Sequence, residues 1–110
     1  MQFIPLDKAD QLEAIKSAGD YQIILKHNTT CPISKGVLQR LQQEADTIPQ
    51  VSNIHVLDLH TYRDLSDAIA EEYGVPHQSP QLLLVKNGKC IYNEWGFDIS
   101  AAATAEAVVQ

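Results

Sequence analysis

The sequence predicts an α/β fold, a three-layer sandwich in which helices cover both faces of a central mixed sheet of four strands. Two observations carry this prediction. Short apolar runs alternate with stretches of helical periodicity, and strands separated by helices pair in parallel through right-handed crossovers. Two apolar segments also flank the dipeptide Asn87-Gly88, which is a strong signal for a β-hairpin and hence for an antiparallel pair.

Length and composition favour a single domain over residues 1–110. The chain has 110 residues, of which 45 % are apolar and 20 % are charged, as in folded globular proteins. A second hydrophobic core does not fit this length. The apolar runs are only a few residues long, whereas a membrane-spanning helix needs about 20 residues. We therefore expect no membrane segment.

Charge and cysteine content argue against two further classes of protein. Acidic residues number 14 against 8 basic ones, and this excess of negative charge leaves no basic stripe for nucleic acid. The two cysteines are too few for a disulfide scaffold. Residues 1–7 lack the basic and apolar segments of a secretory signal. We expect a cytoplasmic protein.

The first half of the chain predicts two helices separated by a strand. A helix over residues 7–18 begins at Asp7, a favoured N-cap residue. Residues 21–27 form a strand whose unbroken apolar centre indicates burial on both faces, in the middle of the sheet. A second helix runs over residues 32–46, with Pro32 at the first helical position, where the missing N–H costs nothing.

The second half of the chain predicts a strand, a helix, the hairpin and a last helix. Their expected ranges are residues 53–59, 61–74, 81–86 with 89–95, and 100–109. Thr61, followed three residues later by Asp64, is expected to cap the first of these helices, and Ser100 is expected to cap the last.

The segment Thr29-Thr-Cys-Pro-Ile-Ser34 carries the most chemical information. It places Cys31 at a helix N-cap, where several backbone N–H groups are unpaired and their dipoles stabilise an anion. The reactive form of cysteine is the thiolate anion, and Thr30 and Ser34 offer hydroxyls to solvate it. Cysteine is not a preferred cap, which favours a reactive residue, with a capping or packed cysteine as the alternative.

Ser34 stands where a Cys-x-x-Cys motif carries its second cysteine. Because serine cannot form a disulfide, the motif predicts exchange through one cysteine. Cys31 then keeps half of a disulfide substrate until an outside thiol releases it. Nearby, His27 and Lys35 either add positive charge or are ordinary surface residues.

Other chemistry-bearing residues give weaker signals. Cys90, in the predicted last strand, is expected to be a buried small apolar residue, although a second thiol role stays open. The four histidines share no metal-ligand spacing with the cysteines, so we expect no metal site. The segment Trp95-Gly-Phe97 is either a contact loop or part of the core and a turn.

Taken together, these residues resemble a known family. A buried strand followed by Cys-Pro at a helix start, with a proline before the final hairpin, resembles the thioredoxin fold over nearly the whole chain. More narrowly, Thr29-Thr-Cys-Pro-Ile-Ser34 combined with Tyr73-Gly-Val-Pro-His-Gln-Ser-Pro-Gln81 and Asn87-Gly88 resembles the monothiol bacilliredoxins, the YtxJ-type proteins of the bacillithiol system.

The resemblance implies a thiol–disulfide oxidoreductase that removes bacillithiol from S-bacillithiolated proteins. Cys31 would be the nucleophile, bacillithiol would be a thiol co-substrate, and no bound cofactor would be needed. Pro80 would be a cis-proline facing Cys31, and the backbone of Ser79 would pair with the bound disulfide. The substrate-binding residues that we expect on this basis are Thr30, Pro32, Ser34, Ser79 and Pro80.

Two other functions remain open from the sequence. One is a monothiol glutaredoxin linked to glutathione or an iron–sulfur cluster, although that class typically has Cys-Gly-Phe-Ser, and Pro32-Ile33 argues against it. The other is a redox-inactive adaptor that binds partners through the face of Cys31. Colour would reveal a cluster, and turnover of a mixed disulfide separates an enzyme from an adaptor.

Overall fold

The computed structural model describes residues 1–108, which form a five-stranded sheet and four α-helices. The strands are Gln2–Pro5 (β1), Tyr21–His27 (β2), Asn53–Asp58 (β3), Gln81–Lys86 (β4) and Lys89–Trp95 (β5). The helices are Ala9–Ser17 (α1), Pro32–Glu44 (α2), Arg63–Tyr73 (α3) and Ala101–Val108 (α4), with short 3-10 turns at Ala45–Thr47 and Gly96–Asp98. None of these helices is long and apolar enough to cross a membrane. The predicted end of the last helix at Val109 lies outside the described residues.

The strands lie in the order β1-β3-β2-β4-β5, so that β2 occupies the centre of the sheet as predicted. It pairs in parallel with β3 and antiparallel with β4. The β4–β5 hairpin is also confirmed. Its turn residues Asn87 and Gly88 have φ angles of 52° and 75°, the positive values that the favoured two-residue hairpin turn requires.

The prediction of four strands was wrong by one, because β1 also belongs to the sheet. It pairs in parallel with β3 along its four residues and forms an edge. Four residues that include Pro5 give no clear strand pattern in the sequence. An edge strand tolerates a proline because one side of its backbone needs no partner in the ladder.

Two helices have their N-caps one residue later than predicted. The N-cap of α1 is Lys8 rather than Asp7. The N-cap of α3 is Tyr62 rather than Thr61. The Thr61 hydroxyl instead donates to Asp58 Oδ2 at 2.9 Å, which ties the loop after β3 to the end of that strand.

The helices cover both faces of the sheet, so the predicted three layers are confirmed. Helices α2 and α4 bury one face, with a core that includes Ile23, Leu25, Val37, Leu41, Ile54, Leu82, Leu84 and Val108. Helices α1 and α3 bury the other face, with a core that includes Leu6, Ile15, Ile24, Leu57, Ile69, Leu83 and Val85. Because β2 contributes to both cores, the strand that precedes Cys31 is anchored from both sides.

Candidate active site

Cys31 lies at the N-cap of α2, directly after the loop that follows the central strand. Its backbone is extended, with φ −99° and ψ 120°. Its carbonyl accepts the N–H of Lys35 at 3.0 Å, and its own N–H donates to the Asn28 carbonyl at 3.2 Å. The side chain forms no capping hydrogen bond within residues 1–108. The partly buried thiol is therefore not used as a cap, which favours the reactive alternative.

Asn28 organises the loop that presents Cys31. Its Oδ1 accepts hydrogen bonds from the Thr30 N–H at 3.0 Å and the Thr30 hydroxyl at 2.8 Å. His60, from the loop after β3, places its Nε2 2.9 Å from the same oxygen. The Thr30 hydroxyl is thus held by Asn28, and not by the sulfur as we expected. The preference of asparagine for turns is the sequence signal that could have pointed to this residue.

Ser34 is fully buried, and its hydroxyl contacts other groups than the sulfur that we expected it to solvate. The Asn28 N–H donates to Ser34 Oγ at 2.9 Å, and Oγ lies 2.8 Å from His27 Nδ1. Burial lowers the pKa of His27, which favours the neutral ring, whose Nδ1 can accept the Ser34 O–H. Ser34 therefore fixes the loop instead of solvating the sulfur, and the lowered pKa of His27 argues against a positive charge there.

The segment Ser79–Pro80 lies at the same end of the sheet as Cys31. The ladder between β2 and β4 ends on the pair Lys26–Gln81, so Pro80 comes beside the end of β2, from which the chain leads to Cys31. The Ser79–Pro80 peptide bond is cis. Pro80 is buried and Ser79 is exposed, so the residue just before the proline is accessible from solvent.

Cys90 lies towards the opposite end of the sheet. It pairs with Val85, four residues along β4 from Gln81, which corresponds to about 13 Å of strand. Its thiol donates to the Tyr92 carbonyl at 3.3 Å and packs against the core beneath α1 and α3. Burial raises the pKa of the Cys90 thiol. These contacts support a packing role for Cys90 and keep it away from Cys31.

The two cysteines should differ in reactivity. We expect iodoacetamide at neutral pH to label Cys31 before Cys90, because the raised pKa of Cys90 leaves less of the reactive thiolate. The Cys31 thiol, by contrast, lies at a helix N-terminus. Peptide mapping after limited alkylation of the native protein measures the two rates. Faster labelling of Cys90 would contradict an activated Cys31.

Large apolar side chains are exposed near this end of the sheet. Trp95 and Phe97 are 51 % and 70 % exposed, so the contact-loop alternative for this segment is favoured over the core alternative. Arg40 of α2 donates to the carbonyls of Phe97 and Ile99, both at 3.3 Å, which ties the segment to α2. Trp95 also borders an open cavity of about 300 Å³ beside the loop that leads to Pro80.

Comparison with known proteins assigns the chain to a family. The family model described as monothiol bacilliredoxin BrxC matches residues 4–104. The chain belongs to the monothiol bacilliredoxin family. The resemblance found in the sequence is thus confirmed, and membership in this family gives the chain a thiol redox role. The free thiol of Cys31 at the start of α2 is the candidate for the reactive group in this role.

Solved structures show the same fold. The chain is 32 % identical to a candidate oxidoreductase with a thioredoxin fold, with a TM-score of 0.84 over 96 % of this chain and 92 % of that chain. Thioredoxin from Trypanosoma brucei brucei gives a TM-score of 0.74 at 15 % identity, over 98 % of this chain and 88 % of that chain. Mitochondrial thioredoxin 3 from Saccharomyces cerevisiae gives a TM-score of 0.74 at 17 % identity, over 97 % of this chain and 93 % of that chain. This bacilliredoxin therefore has a thioredoxin fold.

Proposed function

We propose that this protein removes bacillithiol from S-bacillithiolated proteins by exchange at a single cysteine, Cys31. The observation that carries the proposal is the placement of the Cys31 thiol at the N-terminus of α2 with no second thiol beside it. Ser34 occupies the neighbouring position in the motif, and Cys90 lies towards the far end of the sheet. Membership in the monothiol bacilliredoxin family supports bacillithiol as the thiol that is exchanged.

The proposed reaction consists of two thiol–disulfide exchanges. In the first, the Cys31 thiolate attacks the bacillithiol sulfur of the mixed disulfide. A new disulfide forms between Cys31 and bacillithiol, and the substrate protein leaves as a thiolate that takes up a proton from water. In the second, the thiolate of a free bacillithiol attacks this adduct. Bacillithiol disulfide is released, and Cys31 returns to its thiolate form.

The surrounding residues would bind the substrate mainly through the backbone. We expect the backbone of the exposed residue Ser79, just before Pro80, to pair with the extended chain beside the substrate disulfide, as a peptide pairs with a strand edge. Pro32 is exposed at the first turn of α2, next to the sulfur, and offers an apolar contact. Thr30 and Ser34 contribute by holding the loop through Asn28.

A synthetic peptide with one cysteine in disulfide linkage to bacillithiol tests this function. We expect the protein to release the free peptide and to gain the mass of bacillithiol on Cys31, as seen by non-reducing mass spectrometry. The matched substrate is the same peptide linked to glutathione, which should react more slowly. No adduct on Cys31 would favour a redox-inactive adaptor. Equal rates for both peptides would contradict selectivity for bacillithiol.

A further inference from the structure

Two polar side chains are buried side by side next to the proposed substrate-binding segment. Lys26 in β2 and Gln81 in β4 are directly paired across the sheet, and their exposed fractions are 0 % and 1 %. Both lie on the face that α3 covers, where their neighbours in each strand are apolar. Burying an ammonium group is costly, and an apolar side chain of similar volume often stabilises a core as well or better.

Lys26 joins the central strand to α3 and to the loop before Ser79. Its Nζ donates to the Ser66 carbonyl in α3 at 3.0 Å. The same ammonium lies 3.4 Å from His77 Nδ1, and the Ser66 hydroxyl lies 3.3 Å from that nitrogen. Because an ammonium group can only donate, His77 must accept through Nδ1.

Gln81 holds the two residues on either side of His77. Its Nε2 donates to the Pro76 carbonyl at 3.1 Å, and its Oε1 accepts the Gln78 N–H at 3.3 Å. Both ends of the buried amide are therefore used on the same loop. Together with Lys26, it contacts each residue from Pro76 to Gln78, the three residues that lead directly to Ser79 and Pro80.

We propose that Lys26 and Gln81 form a buried clamp on residues 76–78, which positions the Ser79–Pro80 backbone for the substrate. The effect of this clamp on exchange rests on the proposed function, whereas its effect on the loop does not. Lys26 and Gln81 are positioning residues, because they act through the loop and do not touch the substrate. The clamp also accounts for the presence of a costly lysine at a position where an apolar residue would fill the space.

Protonation of His77 should break the contact between its Nδ1 and the Lys26 ammonium. The pKa of His77 is lowered by partial burial of its ring and by the charges of Lys26 and Arg63, while Asp67 opposes them. The contact with Lys26 is present above this pKa and is lost as the pH falls through it. Burial lowers the pKa of Lys26 to about 8, against the charge of Asp67. The neutral amine formed above that pH keeps two N–H donors for Ser66 and His77.

The first test replaces Lys26 with methionine, which fills the site without charge. We expect Lys26→Met to slow exchange with the bacillithiol-linked peptide by about 10-fold, since a misplacement of about 1 Å can cost ~100-fold. Alkylation of Cys31 by iodoacetamide, which does not need the loop, should keep its wild-type rate. A folded Lys26→Met protein that exchanges the peptide at the wild-type rate would overturn the proposal.

The second test uses exposed loop residues, whose variants should fold. We expect His77→Ala to slow peptide exchange several-fold. Gln78→Ala is the matched control, because only the backbone N–H of Gln78 joins the clamp. In the wild type, the rate of peptide exchange divided by the rate of Cys31 alkylation should fall at acid pH. In His77→Gln, whose side chain offers an acceptor that does not titrate, this ratio of rates should stay constant with pH. A pH-dependent ratio in His77→Gln would contradict the mechanism.

Amide hydrogen exchange separates failure of the clamp from failure of the proposed function. We expect the Gln78 amide, which donates to Gln81, to exchange faster in Lys26→Met and in His77→Ala than in the wild type. This measurement needs no substrate, so it tests the clamp even if the wild-type protein leaves the bacillithiol-linked peptide intact. Unchanged exchange of the Gln78 amide in the folded variants would show that Lys26 does not hold the loop.

Discussion

The Cys31→Ser variant should release peptide from a mixed disulfide no faster than buffer alone. A serine hydroxyl does not ionise near neutral pH, and only a thiolate attacks a disulfide. We expect a loss on the order of 10³-fold or more, as when a nucleophile is removed from an enzyme. Chromatography of the free peptide over time gives the rate.

The matched control for that variant is Cys90→Ser. Cys90 packs towards the opposite end of the sheet, so its replacement should leave the exchange rate within about twofold of wild type. If Cys31→Ser kept a tenth or more of the wild-type exchange rate, a group other than Cys31 would be the nucleophile. Loss of activity in Cys90→Ser with the fold intact would give that cysteine a role that its position argues against.

The Ser34→Cys variant should change the reaction from one-cysteine to two-cysteine exchange. Position 34 is one helical turn from Cys31, on the same side of the helix start. A sulfur there should attack the Cys31 adduct, release bacillithiol and leave a disulfide between positions 31 and 34. The wild-type adduct should persist after free thiol is removed. Non-reducing mass analysis of both adducted proteins over time follows the discharge.

Ser34→Ala is the control for the buried hydrogen bonds. Both variants weaken the contacts of Ser34 with Asn28 and His27, which should cost about 1–3 kcal/mol of folding free energy. Only the cysteine variant supplies a sulfur, so Ser34→Ala should keep its adduct. If the wild-type protein lost its adduct as quickly as Ser34→Cys, the one-cysteine mechanism would be wrong.

Local signals made much of this site predictable from the sequence. An apolar strand, a short loop and Pro32 at a helix start are adjacent in the chain, and they place Cys31 at the N-cap without knowledge of the rest of the fold. The Asn87-Gly88 turn is equally local. By contrast, β1 is defined by pairing with β3, about fifty residues later, and its four residues carry no pattern of their own.

The direction of buried side chains and the register between strands could not be predicted from the sequence. The Ser34 hydroxyl faces inward because the Asn28 N–H and the His27 ring are available to it, and neither contact follows from the motif. The pairing of Lys26 with Gln81 depends on the register of two strands that lie more than fifty residues apart. The lysine directly after the apolar run Ile23-Ile24-Leu25 is visible in the sequence, but its partners could be named only from the structure.

The strand order has a consequence for synthesis of the protein on the ribosome. The central strand β2 is made before both of its neighbours, since β3 and β4 come later in the chain. Its apolar run therefore emerges with neither native partner available, at a stage when exposed apolar segments are prone to aggregate. Cys31 emerges soon after, but Ser79 and Pro80 follow almost fifty residues later. The nascent chain thus carries the thiol well before the surface that would select its substrates.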